Sequence, residues 1–215
     1  MRFAEFEHVE TQRLILRDIR MEDLLEYYER LYGDGDVCRY LLFDPHQDIS
    51  ESMASIEKTL ARYENGNCYR WGIALKEDDA LIGVIELLRF DEDTSTCSFA
   101  YMLGCDYWNQ GYATEALSAV IRFAFEKMEI DRIMVDHMAP NAASGAVMRK
   151  VGMTHTGTEQ GKYEKHGLMF DAECYEIRNN IRKAMTAEIR KKSKDVSVSP
   201  RNTACVPLFP TLSAI

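Results

Sequence analysis

Residues 108–116 read WNQGYATEA and combine the residue types that bind phosphate at the start of a helix. They follow an apolar run at 97–103 and precede a helical pattern of apolar residues, so the sequence predicts a turn from a strand into a helix. The first turn of a helix offers unpaired N–H groups and a partial positive charge, both of which favour phosphate. Gly111 lets a ligand approach the backbone closely, and Thr114 supplies a hydroxyl group. The alternative is a simple strand-to-helix turn without a ligand.

Residues 141–153 read NAASGAVMRKVGM and predict a second helix start that follows a strand, at 132–138. Asn141 is a typical N-cap residue, Ser144 falls in the first turn, and Gly152 ends the helix. If the strands at 97–103 and 132–138 belong to one sheet, two adjacent strand ends each lead into a helix and form a cleft for an elongated ligand. The alternative is that Asn141 only caps the helix and that Ser144 has no role.

Other elements must bring these two helix starts together. Hydrophobic periodicity predicts strands at 11–19, 69–75, 81–90, 97–103, 132–138, 153–159 and 168–178. Helices are predicted from Met21 to Leu31, after Asp48, after Gly111 and after Asn141. The turns around 69–103 are short, which implies antiparallel neighbours. This order predicts an α+β (mixed α/β) fold, in which helices flank a central, largely antiparallel twisted sheet.

The charge of the chain is unevenly distributed. The 215 residues carry a net charge of −9. Seven basic and two acidic residues fall in 182–215, so this segment is basic and the preceding part is strongly acidic. An acidic body repels phosphate backbones, which argues against a nucleic-acid partner, and it attracts cationic ligands such as amines. The alternative is a solvated surface without a ligand.

The sequence shows neither a membrane span nor a signal peptide. No window approaches the roughly 20 apolar residues that cross a bilayer, and acids occupy the first residues where a signal peptide needs an apolar run. We therefore expect a cytoplasmic protein without a membrane partner. The six cysteines form no CxxC pair and have no histidine at zinc-like spacing, so we expect free thiols, mostly buried, and no metal site.

The segments YWNQGYATEA and PNAASGAVMRKVGM resemble the two signature segments of the GNAT N-acetyltransferase superfamily. The most similar branch is the RimJ/RimL-like one, which includes ribosomal-protein-alanine N-acetyltransferases that modify N-terminal amines. The segments TQRLILRDI, LIGVIEL and FAYML extend the resemblance over residues 9–178. It implies the GNAT-like acyl-CoA N-acyltransferase fold. It also implies acetyl transfer from acetyl-CoA, the cosubstrate, to a primary amine, without a metal.

The resemblance further implies which residues bind acetyl-CoA. The backbone of residues 101–103 would pair with the pantetheine arm like an added strand, and the amides of residues 109–114 would hold the pyrophosphate. Asn141 would contact the pantetheine arm, and Ser144 would lie near the thioester sulfur and assist the departing thiolate. The cofactor-binding residues implied in this way are Tyr101, Met102, Leu103, Asn109, Gln110, Gly111, Tyr112, Ala113, Thr114, Asn141 and Ser144.

Two positions depart from the family pattern. Trp108 stands where Gln or Arg is usual, so the contact made by that side chain is missing. Tryptophan is common there in the RimJ/RimL-like branch, so we expect coenzyme A binding to be retained. Ser98 stands where relatives often carry an acidic residue in the strand before Tyr101, so the resemblance supplies no catalytic base there.

An amine must lose a proton before it attacks a thioester, because it is largely protonated at pH 7. Glu86 lies in the middle of the apolar run 81–90, where a charge needs a reason. We predict that Glu86 faces the cleft and acts as the general base. The alternatives are that it faces solvent or forms a salt bridge with Arg89 or a neighbouring strand. The spare groups for proton transfer to the thiolate are His137, Tyr101, Tyr163 and Tyr175.

The predicted function is thus an acetyl-CoA-dependent N-acetyltransferase that acts on a primary amine, with a protein N-terminal amine as one acceptor. A polyamine or an aminoglycoside-type small molecule is an alternative acceptor, and a non-catalytic acyl-CoA-binding module or a structural protein with a vestigial cleft is an alternative class. Many relatives are dimers, so the resemblance includes a homodimer. Residues 1–182 are predicted to form a single GNAT-like domain. Residues 183–215 are predicted to form a basic, proline-containing mobile tail, or one that docks through its apolar residues.

Overall fold

An eight-stranded sheet organises residues 1–66 and 68–180, which are the residues that the computed structural model describes. The spatial order of the strands is β1-β2-β3-β4-β5-β6-β8-β7. All neighbouring strands are antiparallel except β5 and β6. The strands are β1 Val9–Glu10, β2 Leu14–Arg17, β3 Tyr69–Leu75, β4 Leu81–Asp91, β5 Thr96–Leu103, β6 Arg132–Met138, β7 Thr154–Lys165 and β8 Leu168–Arg178. The predicted mixed α/β fold with a largely antiparallel sheet is confirmed.

Five α-helices lie in the described ranges of the chain. They are α1 Leu24–Tyr27, α2 Gly35–Cys38, α3 Ile49–Glu64, α4 Tyr112–Glu126 and α5 Ala142–Lys150. The single helix predicted from Met21 to Leu31 is wrong in detail, because a 3₁₀ turn at Met21–Asp23 precedes α1 and a π-helical turn at Tyr28–Tyr32 follows it. The short helix α2 has no counterpart among the predicted elements.

Two strand predictions also differ from the structure. The strand predicted at 11–19 is shortened to β2, and a separate short strand, β1, precedes it, because the Thr11 hydroxyl accepts a hydrogen bond from the Leu14 amide at 3.0 Å and turns the chain between the two. The strand predicted at 153–159 continues to Lys165, because its second half pairs with β8 after a register shift. A side-chain hydrogen bond and a β-bulge therefore determine where these strands begin and end, and the periodicity of apolar residues does not predict either feature.

Apolar residues of the sheet pack on both of its faces. On one face α4 contributes Leu117, Val120 and Phe123 to a cluster that also contains Ile85 of β4. On the other face Tyr27, Leu31 and Ile56 of the preceding helical segments pack with Val84 of β4. Since successive residues of a strand point to opposite faces, Val84 and Ile85 mark the two sides of the same strand.

The parallel strands β5 and β6 separate soon after they meet. Their register pairs are Thr96 with Arg132 and Cys97 with Ile133. From there to Leu103, β5 stays paired with β4 on its other edge. Within the described ranges, no further β5–β6 pair follows, and α4 and α5 begin beyond the ends of these two strands. The sheet therefore opens at the place where both predicted helix starts lie.

The compact unit of the chain spans Met1–Asn179. The boundary predicted after residue 182 and the tail predicted at 183–215 lie outside the described residues. Within the described ranges, the five cysteines Cys38, Cys68, Cys97, Cys105 and Cys174 are free thiols, and the first three are buried. No helix of that part of the chain has both the length and the apolar character that a bilayer crossing requires.

Candidate functional site

A cleft of about 290 Å³ opens at the end of β5, beside the first turns of α4 and α5. Ten of the eleven residues predicted to bind the cofactor line it, and the exception is Gln110. The structure therefore brings the two motif stretches into one cavity, although 32 positions separate Asn109 from Asn141. The ten residues are Tyr101, Met102, Leu103, Asn109, Gly111, Tyr112, Ala113, Thr114, Asn141 and Ser144.

The loop before α4 has the backbone curvature of an anion-binding turn. Asn109 has a φ of 60° and Gly111 a φ of 84°, both in the left-handed region that favours glycine. Gly111 is also the N-cap residue of α4 and has no side chain with which to cap the helix. The first-turn N–H groups of α4 are thus not satisfied by a capping side chain, and such groups bind phosphate.

The first turn of α5 brings a hydroxyl group next to β5. The Asn141 side chain accepts a hydrogen bond from the Ser144 amide at 3.2 Å, which is the predicted N-cap. The Tyr101 hydroxyl donates to the Ser144 hydroxyl at 3.2 Å. Burial raises the pKa of Tyr101, and it outweighs the opposite effect of this hydrogen bond. The phenol therefore keeps its proton near neutral pH, and both hydroxyl groups can take part in proton transfer.

Arg13 supports the loop before α4, a role that sequence reasoning missed. Its guanidinium contacts Glu115 of the first turn of α4 at 2.7 Å and donates to the Gln110 carbonyl at 3.0 Å. It also lies over the Tyr112 ring, 4.2 Å from the centroid. The available signal was the segment TQRLILRDI, which supported the resemblance without being assigned a place.

Glu115 is the acid that Arg13 neutralises at the start of α4. Burial raises the pKa of Glu115, but hydrogen bonds from Thr11 and Arg13 outweigh burial and lower that pKa below its usual value. A negative charge in a first helical turn is favoured by the helix dipole but would repel a phosphate. The Arg13 cation offsets this repulsion and ties the segment just before β2 to the helix start.

The side chains of Trp108 and Gln110 hold the same loop through hydrogen bonds to backbone carbonyls. The Trp108 indole N–H donates to the Leu103 carbonyl at 2.7 Å, so the residue that departs from the family pattern anchors the loop to β5. The Gln110 side chain donates to the Asp106 carbonyl at 2.7 Å, which turns it away from a ligand role of its own. Gln110 is also the one predicted cofactor-binding residue that does not line the cleft.

Glu86 does not line the cleft. It shares the β4 face of Val84, which is the face covered by α3, and its carboxylate accepts from Arg62 at 2.6 Å and Arg70 at 3.0 Å. Its side chain is 14% exposed, so it does not face solvent, and its ion pair to a neighbouring strand is with Arg70 rather than Arg89. The general-base role remains a prediction, now for a carboxylate held by two arginines.

His137, Tyr163 and Tyr175 also lie outside the residues that line the cleft. His137 contacts the Met138 carbonyl through Nδ1 at 2.8 Å, and its buried Nε2 has no hydrogen-bond partner within the described ranges. A Cβ at Gly145 would come within 2.9 Å of that Nε2. The Tyr175 hydroxyl accepts from Arg149 at 2.8 Å. His137 and Tyr175 therefore support α5 rather than reach the cavity.

The cleft has a second wall that the sequence motifs did not predict. It consists of Asp36, Val37, Arg39, Tyr40 and Leu41, in α2 and the loop after it. This segment has neither a glycine-rich turn nor a periodic apolar pattern that relates it to the two motif stretches. Its place in the cavity depends on long-range contacts.

Comparisons with known proteins identify a family and a fold that this chain matches. Residues 13–154 match the family described as "Acetyltransferase (GNAT) domain". The uncharacterized N-acetyltransferase YoaA of Bacillus subtilis (strain 168) is 27% identical over 172 residues, which cover 80% of this chain and 97% of the relative. The [ribosomal protein uS5]-alanine N-acetyltransferase of Escherichia coli (strain K12) is 26% identical over 187 residues, covering 82% and 89%. The structure of RimL, a ribosomal L7/L12 alpha-N-protein acetyltransferase in complex with coenzyme A, has the same fold, with a TM-score of 0.71, 17% identity and coverage of 80% and 98%.

Proposed function

Because the chain belongs to the GNAT acetyltransferase family and is an N-acetyltransferase, we propose that it moves the acetyl group of acetyl-CoA to the N-terminal amine of a protein. The observation that carries this proposal is the cleft in which the first turns of α4 and α5 meet the end of β5. The protein acceptor is supported by the similarity to the uS5-alanine N-acetyltransferase over 82% of this chain. The acidic charge of the chain favours approach of a cationic amine.

We assign the pyrophosphate of acetyl-CoA to the amides of residues 109–114. The support is the left-handed backbone at Asn109 and Gly111 and the uncapped start of α4. We assign the pantetheine arm to the edge of β5 at residues 101–103 and to Asn141. The support is the separation of β5 from β6, which leaves that edge beside the cavity, and the presence of all these residues in its lining.

The reaction forms a bond between the amine nitrogen and the thioester carbon and breaks the bond from that carbon to sulfur. The departing thiolate needs a proton or a hydrogen bond, and we assign the hydrogen bond to the Ser144 hydroxyl, which keeps its own proton. The Tyr101 hydroxyl donates to the oxygen of Ser144, so the hydrogen of Ser144 itself is free to be donated to sulfur. Tyr101 keeps its own proton near neutral pH because it is buried.

We assign removal of the amine proton to Glu86, through a water molecule. Glu86 is the cross-strand partner of Ala100, and Val84 is that of Met102, so Glu86 and Met102 are diagonal neighbours on one face. Such neighbours have Cα atoms roughly 7–8 Å apart, so Glu86 and the cleft residue Met102 lie side by side on that face of the sheet. Arg62 bonds one carboxylate oxygen of Glu86 and Arg70 bonds the other, so both oxygens already accept a hydrogen bond. We therefore expect its contribution at or below the lower end of the usual range, about a hundredfold or less.

An amine panel with detection of free thiol tests the proposed function. The panel contains peptides with Ala or Ser at the N-terminus, the same peptides with a blocked N-terminus, spermidine and an aminoglycoside. We expect thiol release and addition of one acetyl group with the free peptides and none with the blocked ones. Faster turnover of spermidine or the aminoglycoside would contradict the protein acceptor. Binding of acetyl-CoA without thiol release for every amine would contradict the transfer reaction.

We further propose that the enzyme is cytoplasmic, acts as a homodimer and binds no nucleic acid. The location is supported by the similarity to the uS5-alanine N-acetyltransferase, whose acceptor is a ribosomal protein, and the lack of nucleic-acid binding by the net charge of −9. The homodimer is supported by the resemblance to dimeric relatives. Light scattering coupled to size-exclusion chromatography tests it, and a monomer at micromolar concentration would contradict it.

A further inference from the structure

The second wall of the cleft is held in place by one distant lysine. Lys165 ends β7, at the tip of the β7–β8 hairpin. Its ammonium group donates to the carbonyl oxygens of Cys38 at 2.9 Å and Leu41 at 2.8 Å. The carbonyls of Arg39 and Phe43 lie at 3.3 and 3.4 Å from the same nitrogen. Four oxygen atoms of one loop therefore converge on a single cation that is more than 120 positions away in sequence.

These contacts couple the shape of the loop to Lys165. An ammonium group has three donors and no acceptor, so the four carbonyls share them, and the loop must curve around the nitrogen to do so. Hydrogen bonds with an ionised donor are roughly twice as strong as neutral ones. The segment held in this way includes Arg39 and Leu41, which line the cleft.

A second link between the β7–β8 hairpin and the loop is weaker, because solvent surrounds it. His166 contacts Asp44 at 2.7 Å, and both side chains are about two-thirds exposed. Exposed ion pairs contribute little, typically about 0–1 kcal/mol. Lys165 is therefore the stronger of the two polar links between the hairpin tip and the wall.

We propose that Lys165 is a positioning residue for the amine acceptor. This inference rests on the proposed function, in which the motif residues of α4 and α5 hold acetyl-CoA. The opposite wall, residues 36–41, is then the surface against which the acceptor lies as it approaches the thioester. Lys165 fixes this wall by binding its backbone, so it acts on the acceptor without touching it.

The test is Lys165→Met, with Lys162→Met as its matched control. Lys162 lies on the same strand and pairs with Asp136 and Glu159, neither of which belongs to the wall. We expect Lys165→Met to raise the KM for the best peptide at least tenfold, with the Kd for coenzyme A and kcat within about threefold of wild type. Lys162→Met should leave all three within about twofold. Lys165→Arg keeps the charge, but its planar guanidinium fits four converging carbonyls less well, so it should fall between them.

Two outcomes overturn the acceptor role. One is a wild-type KM for the peptide in folded Lys165→Met, and the other is an equal loss of coenzyme A affinity, which would assign the wall to the cofactor. Trypsin cleavage after the exposed Arg39 reports on the wall without any amine, and we expect it to be at least fivefold faster in Lys165→Met than in Lys162→Met. Unchanged cleavage would overturn the clamp itself. If the wild-type enzyme acetylates no amine of the panel, the proposed function fails and the acceptor role fails with it, while the trypsin result still decides the clamp.

Discussion

The cleft at the end of β5 and the charged cluster around Glu86 of the neighbouring strand β4 are built differently. The cleft is made largely of two stretches, each of which lies between a strand and a helix and contributes amide and hydroxyl groups, and its charged lining residues are Asp36, Arg39 and Lys150. The cluster is made of single side chains from separate segments. Arg70 donates to Glu86 at 3.0 Å, to the Tyr27 hydroxyl at 2.9 Å and to the Tyr32 hydroxyl.

This difference shows why the two regions respond differently to sequence reasoning. A helix start carries its chemistry in consecutive residues, so a motif is enough to locate it. A carboxylate in a strand has a role that depends on its partners, and those of Glu86 come from α3 and β3. Cleft residues should therefore affect binding and chemistry separately, whereas Glu86 should affect stability and chemistry together.

The largest effect is expected for Ser144→Ala. It removes the hydroxyl that we assign to the departing sulfur but leaves the Asn141 side chain and the Ser144 amide that it caps. We expect kcat to fall about a hundredfold with little change in the Kd for coenzyme A, because the lost interaction acts mainly in the transition state. Steady-state kinetics and calorimetric titration measure the two. Ser118→Ala is the control and should keep wild-type kcat, because Ser118 does not line the cleft and its exposed hydroxyl only donates to the carbonyl of Thr114 within α4. A loss of coenzyme A affinity as large as the loss of kcat would contradict the role assigned to Ser144.

Gly111→Val should be next in size and should act on binding. A valine at a φ of 84° is strained and adds bulk where the pyrophosphate is expected to lie, so the Kd for coenzyme A should rise at least tenfold, or about 1.4 kcal/mol. Gly152→Val is the matched control, because Gly152 has a φ of 87° but lies outside the cleft. It should lose comparable stability and keep its affinity. Wild-type affinity in a folded Gly111→Val protein would refute the pyrophosphate assignment.

Glu86→Gln should lower kcat about tenfold at pH 7 with a peptide acceptor. The defect should shrink as the pH rises past about 8, because more of the α-amine is then already deprotonated and the base is needed less. Arg62→Met breaks one ion pair of Glu86 but keeps the carboxylate, so it should show little rate defect at any pH. Melting temperatures separate the loss of the ion pairs from the loss of the base. A wild-type kcat for Glu86→Gln at pH 7 would contradict the assignment of Glu86 as the general base. Water or another group would then accept the amine proton.

Arg13→Met should give the smallest effect, on coenzyme A affinity. It removes the link to the Gln110 carbonyl and the neutralising charge beside Glu115. If the loop holds the pyrophosphate as we propose, both losses weaken phosphate binding. The expected loss is about 1 kcal/mol, or roughly fivefold in Kd. Lys76→Met, which breaks an ion pair with Glu10 away from the cleft, is the control. Addition of Glu115→Gln should recover part of the loss, and its failure to do so would show that charge is not the cause.

The sequence by itself determined the order of the main elements and the position of both helix starts. Asn141 caps α5 as predicted, and Gly111 opens α4 with the left-handed backbone that its residue type favours. These features depend on neighbours a few residues away, so local propensity and apolar periodicity are enough to predict them. The same reasoning missed α2 and the turn at Thr11, because both depend on side-chain hydrogen bonds that do not change the apolar pattern.

Only the tertiary structure decided which side chains meet across the sheet. Arg13 meets Glu115 over 102 positions, and Lys165 meets the loop after α2 over more than 120. The partners of Glu86 depend on the register of β3 against β4 and on the face that α3 covers, and a shift of one residue would turn Glu86 to the other face. Such contacts depend on how distant segments pack against each other. Residue types and short-range spacing do not predict that packing.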